Sequence, residues 1–305
     1  MWFKNLQLFR LLEPVALEPA ELEERLAALA FRDCGSLEFS SDGWAPPLGP
    51  LGEQLVHAAG GFLLLCACRQ EKLLPAGVIN EFAADEVAAL ERQRGGLKLP
   101  RRDRQAVREA IVTKLLPQAL PRNRRTWAVL DQRGGWLWVD SSTPARAEEL
   151  VTLLREALGS LKAAPPQAPL GPATMLTRWL GGDGLPGAFT LGDACELRDP
   201  TDKGRVVRCR GMDLSSEEVQ GHLASGMQAV RLALLWHDRL AFSVDAELAV
   251  RGLQFTDIVR DEAEDVAADS ELERFDADFA LMSLELARFI PELLAAFGIA
   301  RPANR

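Results

Sequence analysis

The chain has 305 residues, 48% of them hydrophobic and 26% charged, a globular balance that leaves disordered, collagen-like and coiled-coil readings without compositional support. That length suits two domains, or one domain carrying a large insertion. Thirty-five Lys and Arg against 44 Asp and Glu give a net charge of -9, so a polyanion can be attracted only where basic residues concentrate.

Charges interrupt the opening Met1-Trp2-Phe3-Lys4-Asn5, and the longest uncharged apolar run, Ala58 to Cys68, falls far short of the ~20 residues of a spanning helix. The expectation is a cytoplasmic protein with neither export signal nor membrane span. Five cysteines (Cys34, Cys66, Cys68, Cys195, Cys209) are expected to be reduced thiols packed as small hydrophobes.

In chain order, residues 2–12 read as a strand, and 18–30 as a helix with Leu22, Leu26 and Leu29 on one face. Residues 43–50, rich in Pro and Gly, read as a loop, and 61–69 as a buried strand. Val78 to Arg94 carries Ile79, Ala83, Val87 and Leu90 at helical spacing. Gly95-Gly96 ends that helix, and a second starts at Pro100 and stops before Pro117. Strands resume at 126–130 and 136–140 around a turn-rich connection, so the helical hairpin interrupts a sheet. A helix over 144–158 ends at Gly159, and the proline-rich 162–172 reads as a linker. Strands at 188–198, 204–211, 229–236, 240–244 and 248–255 follow, with a helix over 215–224 among them. A last helix over 275–297 aligns Phe279, Met282, Leu286, Phe289 and Leu293 in one stripe.

The sum is an α+β fold of two sheet-containing units with packed helices and a projecting helical-hairpin insertion. Its divisions are a central domain of residues 1–75 plus 126–162, an inserted hairpin of 76–125, a linker of 163–172 and a second α+β domain of 173–305.

The hairpin concentrates charge. Between Arg92 and Arg125, the residues Arg92, Arg94, Lys98, Arg101, Arg102, Arg104, Arg108, Lys114, Arg122, Arg124 and Arg125 stand against two acids, Asp103 and Glu109. Residues 257–285 are the mirror image, with eleven acids against Arg260 and Arg274. Arg101, Arg104 and Arg108 fall at spacings of three and four, a guanidinium stripe that Ile111 and Leu115 continue as an apolar patch. Arginines in a first helical turn oppose the helix dipole, and their forks suit phosphate oxygens. A dispersed basic surface fits backbone contact rather than base reading. The bland alternative is a solvated hairpin with a skewed surface. Arg198, Lys203 and Arg205 of the second domain are expected to contribute less.

Other chemistry finds little support. Gly182-Asp183-Gly184-Leu185-Pro186-Gly187 formally matches a dinucleotide fingerprint but lacks the strand and helix that make it work. His57, His222 and His237 are scattered, without metal-ligand spacing, and neither GxSxG nor a P-loop occurs. Asp276 and Asp278, with Asp261, Glu262, Glu264 and Asp265, could hold Mg²⁺ in a nuclease, although a solvated acidic helix is the simpler reading. Trp136 and Trp138 share one strand face, as a stacking platform or as core. No cofactor and no metal are expected. A protein-interaction adaptor whose hairpin docks an acidic partner stays open beside the nucleic-acid and nuclease readings.

The whole chain resembles the RdgC family of recombination-associated bacterial nucleoid proteins. The resemblance lies in the order and spacing of Trp2-Phe3-Lys4-Asn5-Leu6, Cys34-Gly35-Ser36, Gly43-Trp44-Ala45-Pro46-Pro47, Glu71-Lys72-Leu73-Leu74-Pro75, Leu115-Leu116-Pro117, Val139-Asp140-Ser141, Leu158-Gly159-Ser160-Leu161 and Arg274-Phe275-Asp276-Ala277-Asp278-Phe279. It implies a non-enzymatic, nucleoid-associated homodimer that forms a ring around double-stranded DNA, binds without sequence preference and limits RecA-promoted strand exchange. It also implies that hairpin tips meet to close the ring, with Ile111, Leu115, Leu116 and Leu120 as an exposed gate. Family members usually read LLPRAF where this chain has Leu115-Leu116-Pro117-Gln118-Ala119-Leu120, so the gate loses an arginine and an aromatic here.

Overall fold

The computed structural model describes residues 1–300 other than Lys203, Asp265 and Ala267. Among them are eight α-helices and twelve strands, and the paired strands run antiparallel, which makes the fold α+β as expected. None of these helices is long and apolar enough to cross a membrane. The chain divides into two compact units: one of Met1–Ala28, Pro46–Cys66 and the residues from Thr126 onward, the other of Leu29–Ala45 and Ala67–Arg125.

In the larger unit, β1 (Asn5–Leu11) pairs on one side with β6 (Trp136–Val139) and on the other with β12 (Val250–Phe255). The order continues from β12 through β11 (Leu240–Asp245), β10 (Gln228–Trp236) and β8 (Phe189–Arg198) to the edge strand β9 (Val206–Arg210). In the three-residue connection between β10 and β11, His237 and Asp238 take left-handed conformations at the centre of a turn closed by the Arg239 N–H on the Trp236 carbonyl, the backbone of a primed turn. Apolar residues alternate along these strands, and Leu197, Leu232, Leu234, Phe242, Val244 and Val250 all face one core.

The helix α8 (Glu271–Ala296) closes that core. Its predicted stripe of Phe279, Met282, Leu286, Phe289 and Leu293 is buried in full, and Phe289 meets Phe242 and Trp236 edge-on at 4.8 and 5.6 Å. Ser270 accepts from the Glu273 N–H while Glu273 accepts from that of Asp269, a reciprocal cap. The short α7 (Asp257–Glu264) precedes it, tied down by Arg239, which bonds Glu262 and the buried Glu285 at 2.6 to 3.0 Å. α1 (Pro19–Ala27) and α4 (Pro144–Leu158) pack together, burying Leu22, Leu26, Leu150 and Leu154, and left-handed Gly159 ends α4 as read from sequence. α6 (Glu217–Ala224) buries Val219.

Besides α7, three further elements of this unit went unread. β3 (Val56–Ala59) hairpins onto the start of β4 (Phe62–Leu73). α5 (Pro172–Leu180) begins at the last proline of the expected linker and buries Leu176, Trp179 and Leu180 against β10. The linker itself carries β7 (Ala163–Ala164), which pairs with β1. Prolines concealed both, since Pro172 sits at a first helical position where it is favoured.

In the smaller unit, β2 (Ser40–Trp44) pairs with the second half of β4, where a loop was expected from Gly43 onward. Gly43 is required there: a Cβ would lie 2.6 Å from the Phe31 Cα. Buried Gln70 donates to Asp33 and Asn123, and Arg32 grips Glu38 at 2.6 and 2.7 Å, holding that carboxyl at about 2. The hairpin is α2 (Ala76–Gln93) and α3 (Arg101–Leu115), joined through left-handed Gly95 and Gly96. β5 (Leu120–Asp131) begins in this unit, six residues before the expected strand.

Four cysteines are buried and Cys34 is half-buried, all as free thiols. Burial and the neighbouring Cys209 push the Cys195 thiol up to about 12.

His57 on β3 lies 3.1 Å from Asp276 on α8, with the rings of Phe275 and Phe279 edge-on to it. Burial lowers its pKa while Asp276 pulls the other way. The unfolded chain therefore takes up this proton more readily, so stability is fully present above the ordinary histidine pKa of ~6.5 and is lost as pH falls through it. Urea unfolding between pH 8 and 6, where carboxylates stay ionised, should show stability falling with pH. His57→Phe should flatten that slope; an unchanged slope would assign it to another group.

Candidate nucleic-acid interface

The two hairpin helices bury Ile79, Leu99 and Ile111 and turn their polar faces outward. Leu99 donates its N–H to Glu91 at 2.8 Å, which fixes the link between them. Nine of the eleven predicted cations are exposed: Arg92, Arg94, Lys98, Arg101, Arg102, Arg104, Lys114, Arg122 and Arg125. Arg108 and Arg124 are half-buried. Arg94 reaches Asp103 at 3.6 Å, whereas Arg101, Arg102 and Arg104 make no ion pair among the described residues. α3 starts after Pro100 with no side-chain cap, so its first N–H groups and these three guanidinium groups carry uncompensated positive charge together.

The expected apolar gate needs correction. Ile111 and Leu116 are buried and Leu115 is half-buried, because this end of α3 packs within its own unit; Leu120 alone of the four stands out, 74% exposed. Other large apolar residues exposed in the unit are Leu37, Phe39, Leu73, Val78, Phe82 and Leu97, the last 72% exposed in the link between α2 and α3; Val78 and Phe82 lie one turn apart on α2.

A second basic surface lies in the larger unit, where sequence reading did not place one. In-out alternation sends Cys195, Leu197, Cys209 and Leu232 to the core, and it turns Glu196, Arg208, Arg210, Arg231 and Arg251 to the opposite face. Register places Arg208 opposite Glu196, Glu196 opposite Arg231, Arg231 opposite Asp245 and Arg251 opposite Ser243. Arg208, Arg210, Arg231 and Arg251 line one hollow on this face.

Two buried carboxylates organise it. Glu196 accepts from Arg198 at 2.8 Å and Arg208 at 3.0 Å; burial alone would raise its pKa, but these bonds outweigh burial and hold it below the usual carboxylate range. Asp245 accepts from Arg251 at 2.5 Å, and Arg251 also donates to the Ser142 carbonyl. Arg231, between the two carboxylates in register, makes no ion pair among the described residues, and its Nε is buried without a partner. The guanidinium groups are thus held in place while most of their donors still face outward. The signal was present in the alternation Val207-Arg208-Cys209-Arg210.

Of the residues set aside as weaker contributors, Arg198 joins Glu196, Arg205 lies 3.5 Å from Asp199, and Lys203 is outside the described residues. Trp136 and Trp138 are buried in the core.

Four acids of the acidic segment are engaged elsewhere: Glu262 and Glu285 with Arg239, Asp276 beside His57, and Asp278 with the Met1 amine at 2.9 Å. Asp265 lies outside the described residues. Among the described residues no three His, Cys, Asp or Glu converge on a point that could hold a metal ion. The 182–187 segment is a loop with left-handed Gly182 and Gly184, not the strand-to-helix turn of a dinucleotide site.

Comparison with known proteins places these surfaces in context. The profile of the family described as "Putative exonuclease, RdgC" matches residues 1–300. The recombination-associated protein RdgC of Halorhodospira halophila is 45% identical over 298 residues, covering 98% of both chains. That of Aeromonas hydrophila is 39% identical over the same span, and that of Pseudomonas putida 36% over 300 residues, 98% of this chain and 97% of the relative.

Proposed function

The chain belongs to the RdgC family, and we propose that it is a sequence-nonspecific double-stranded DNA-binding protein of the nucleoid, working in homologous recombination without catalysis of its own. Its relatives are named for recombination. The observation that carries the DNA reading is the placement of uncompensated guanidinium groups on a chain of net charge -9: Arg101, Arg102 and Arg104 at an uncapped helix start, and Arg231 on an arginine-bearing sheet face. Trp136 and Trp138 are buried and so offer no stacking platform, and guanidinium groups recognise the phosphates that all duplexes share. The partnered carboxylates of the acidic segment favour this reading over a Mg²⁺-dependent nuclease.

The same proposal takes the working form to be a homodimeric ring around duplex DNA, which limits RecA-promoted strand exchange by occupying the substrate. With Ile111 and Leu116 buried, self-association through the hairpin falls to Leu120, to Leu97 in the link between the two helices, and to Val78 and Phe82 of α2.

Retention of labelled duplex tests the contact surface. With ~6 to 10 phosphates contacted, affinity should drop ~10³ to 10⁵ between 50 and 200 mM salt, equally for unrelated sequences. Replacing Arg101, Arg102 and Arg104 by Ala should cut the salt slope by roughly 0.9 per lost contact. Arg231→Met should weaken binding too, while leaving stability within about 1 kcal/mol of wild type, since it removes a buried unpaired donor. A flat salt response rules out phosphate contact, and loss of labelled duplex on adding Mg²⁺ restores the nuclease reading.

Topology tests the ring. With native cysteines replaced and Leu120→Cys cross-linked between protomers, complexes preformed on closed circles should survive high salt, whereas those on linear DNA should slide off. Salt screens phosphate contacts identically on both substrates, so equal release, with cross-linking verified, means that the protein does not surround the duplex.

A further inference from the structure

The larger unit contains a cavity of about 680 Å³ that neither basic surface uses, within the range of sites that enclose drug-sized ligands. Its wall is aromatic and aliphatic: Phe62 of β4, Trp136 and Trp138 of β6, and Ile290 and Leu294 of α8. Phe62 and Trp138 already stack at 5.4 Å. The Trp138 indole N–H is buried without a hydrogen-bond partner among the described residues, and the residue is only 1% exposed. A wall of this kind gains from a flat apolar guest and little from water.

The polar groups around the cavity are unequally occupied. Asp131 accepts the Gly134 N–H at 2.8 Å, and burial raises its pKa. Glu292 accepts from the Trp236 indole at 2.8 Å and faces His237 at 3.3 Å. The two carboxylates are therefore engaged, and the cations only in part: the Arg133 charge acts on Asp131, pulling its pKa down against the effect of burial. Arg133 is exposed and forms no ion pair among the described residues. Arg288, 69% exposed, reaches Glu285 only at 3.3 Å, and Arg239 already holds that carboxylate at 2.9 and 3.0 Å. The Arg133 guanidinium lies against Gly61, where an added Cβ would come within 3.2 Å of Cζ and where φ is +89°, so glycine is needed twice over.

We propose that this cavity binds a small aromatic acid, its fused-ring body against Trp136, Trp138 and Phe62 and its carboxylate at the mouth with Arg133 and Arg288. The assignment does not depend on DNA binding. It joins an apolar enclosure to guanidinium groups with donors to spare, the combination that selects an amphipathic anion over a neutral ring or a hydrophilic one.

Calorimetric titration of the full chain at low salt with 2-naphthoate and with 2-naphthylmethanol, the same ring without the charge, separates the two contributions. The acid should bind at least tenfold more tightly than the alcohol. Arg133→Gln should erase most of that margin and leave the alcohol unaffected, whereas Ala287→Phe, which fills the cavity from α8, should abolish both. Indole N–H shifts in the unmodified chain, assigned through Trp136→Phe, report occupancy even if the filled variant fails to fold. Absence of heat and of indole shifts at millimolar naphthoate overturns the site. Equal losses for acid and alcohol in Arg133→Gln overturn the role of the mouth.

Discussion

Strand β1 is shared between two ladders, and the larger unit depends on that sharing. Asn5 and Leu6 pair with Arg251 and Val250, and two residues later Gln7 to Arg10 pair with Val139 to Trp136. One strand thus sets the register on both sides. Leu6 and Leu8 face the core that α8 closes, so a slip of one residue would exchange them for Asn5, Gln7 and Phe9 and turn each partner strand inside out. The Asp140 carboxylate pins the entry to β1 by accepting the N–H groups of Lys4 and Asn5. Burial raises its pKa while those bonds pull it down. The arginine face inherits its parity from here: Arg251 lies opposite Asn5, and the alternation passes strand by strand from β12 to β9.

That parity explains what sequence reading could and could not reach. The stripe of α8, the five strands from β8 to β12 and the two-helix hairpin were all legible, because each repeats its apolar residues at the period of its own element. The arginine face was not, because charge was summed along segments. Arg208, Arg210, Arg231 and Arg251 come from three strands separated by turns and a helix, so no window collects them, and Glu196 and Asp245 dilute the total. The apolar gate failed for a related reason. Ile111 and Leu116 were judged by their place at the end of a basic helix, whereas packing within the smaller unit buries both.

The two basic surfaces differ in how they hold their charge. On the sheet, carboxylates recessed among the arginines restrain Arg198, Arg208 and Arg251 and keep the side chains extended, so less rotamer entropy remains to be lost when an anion arrives. Arg231 is held by packing alone, with a buried Nε that no partner satisfies, an arrangement costing ~1 to 3 kcal/mol. The start of α3 has no such restraint, and Arg101, Arg102 and Arg104 stand in water.

The contrast between α3 and α8 bears on why the first is built as it is. α8 opens with a reciprocal Ser270–Glu273 cap and with Glu271 and Glu273 in its first turn, so orphan N–H groups and helix dipole are both compensated. α3 opens on Pro100 with no cap and with Arg101, Arg102 and Arg104 around a single Asp103. Each misplaced cation costs ~0.3 to 1 kcal/mol, and the missing cap costs about another 1. Side-chain caps are also absent from α1, α2, α4, α5 and α6, so what sets α3 apart is not the missing cap but the electrostatic deficit of three arginines at its start. An external polyanion reverses the sign of every term in it. On the proposed DNA-binding reading, phosphates near Arg101 and Arg104 would meet the guanidinium groups, the dipole and the free N–H groups together, and a helix start that is costly in isolation would become favourable.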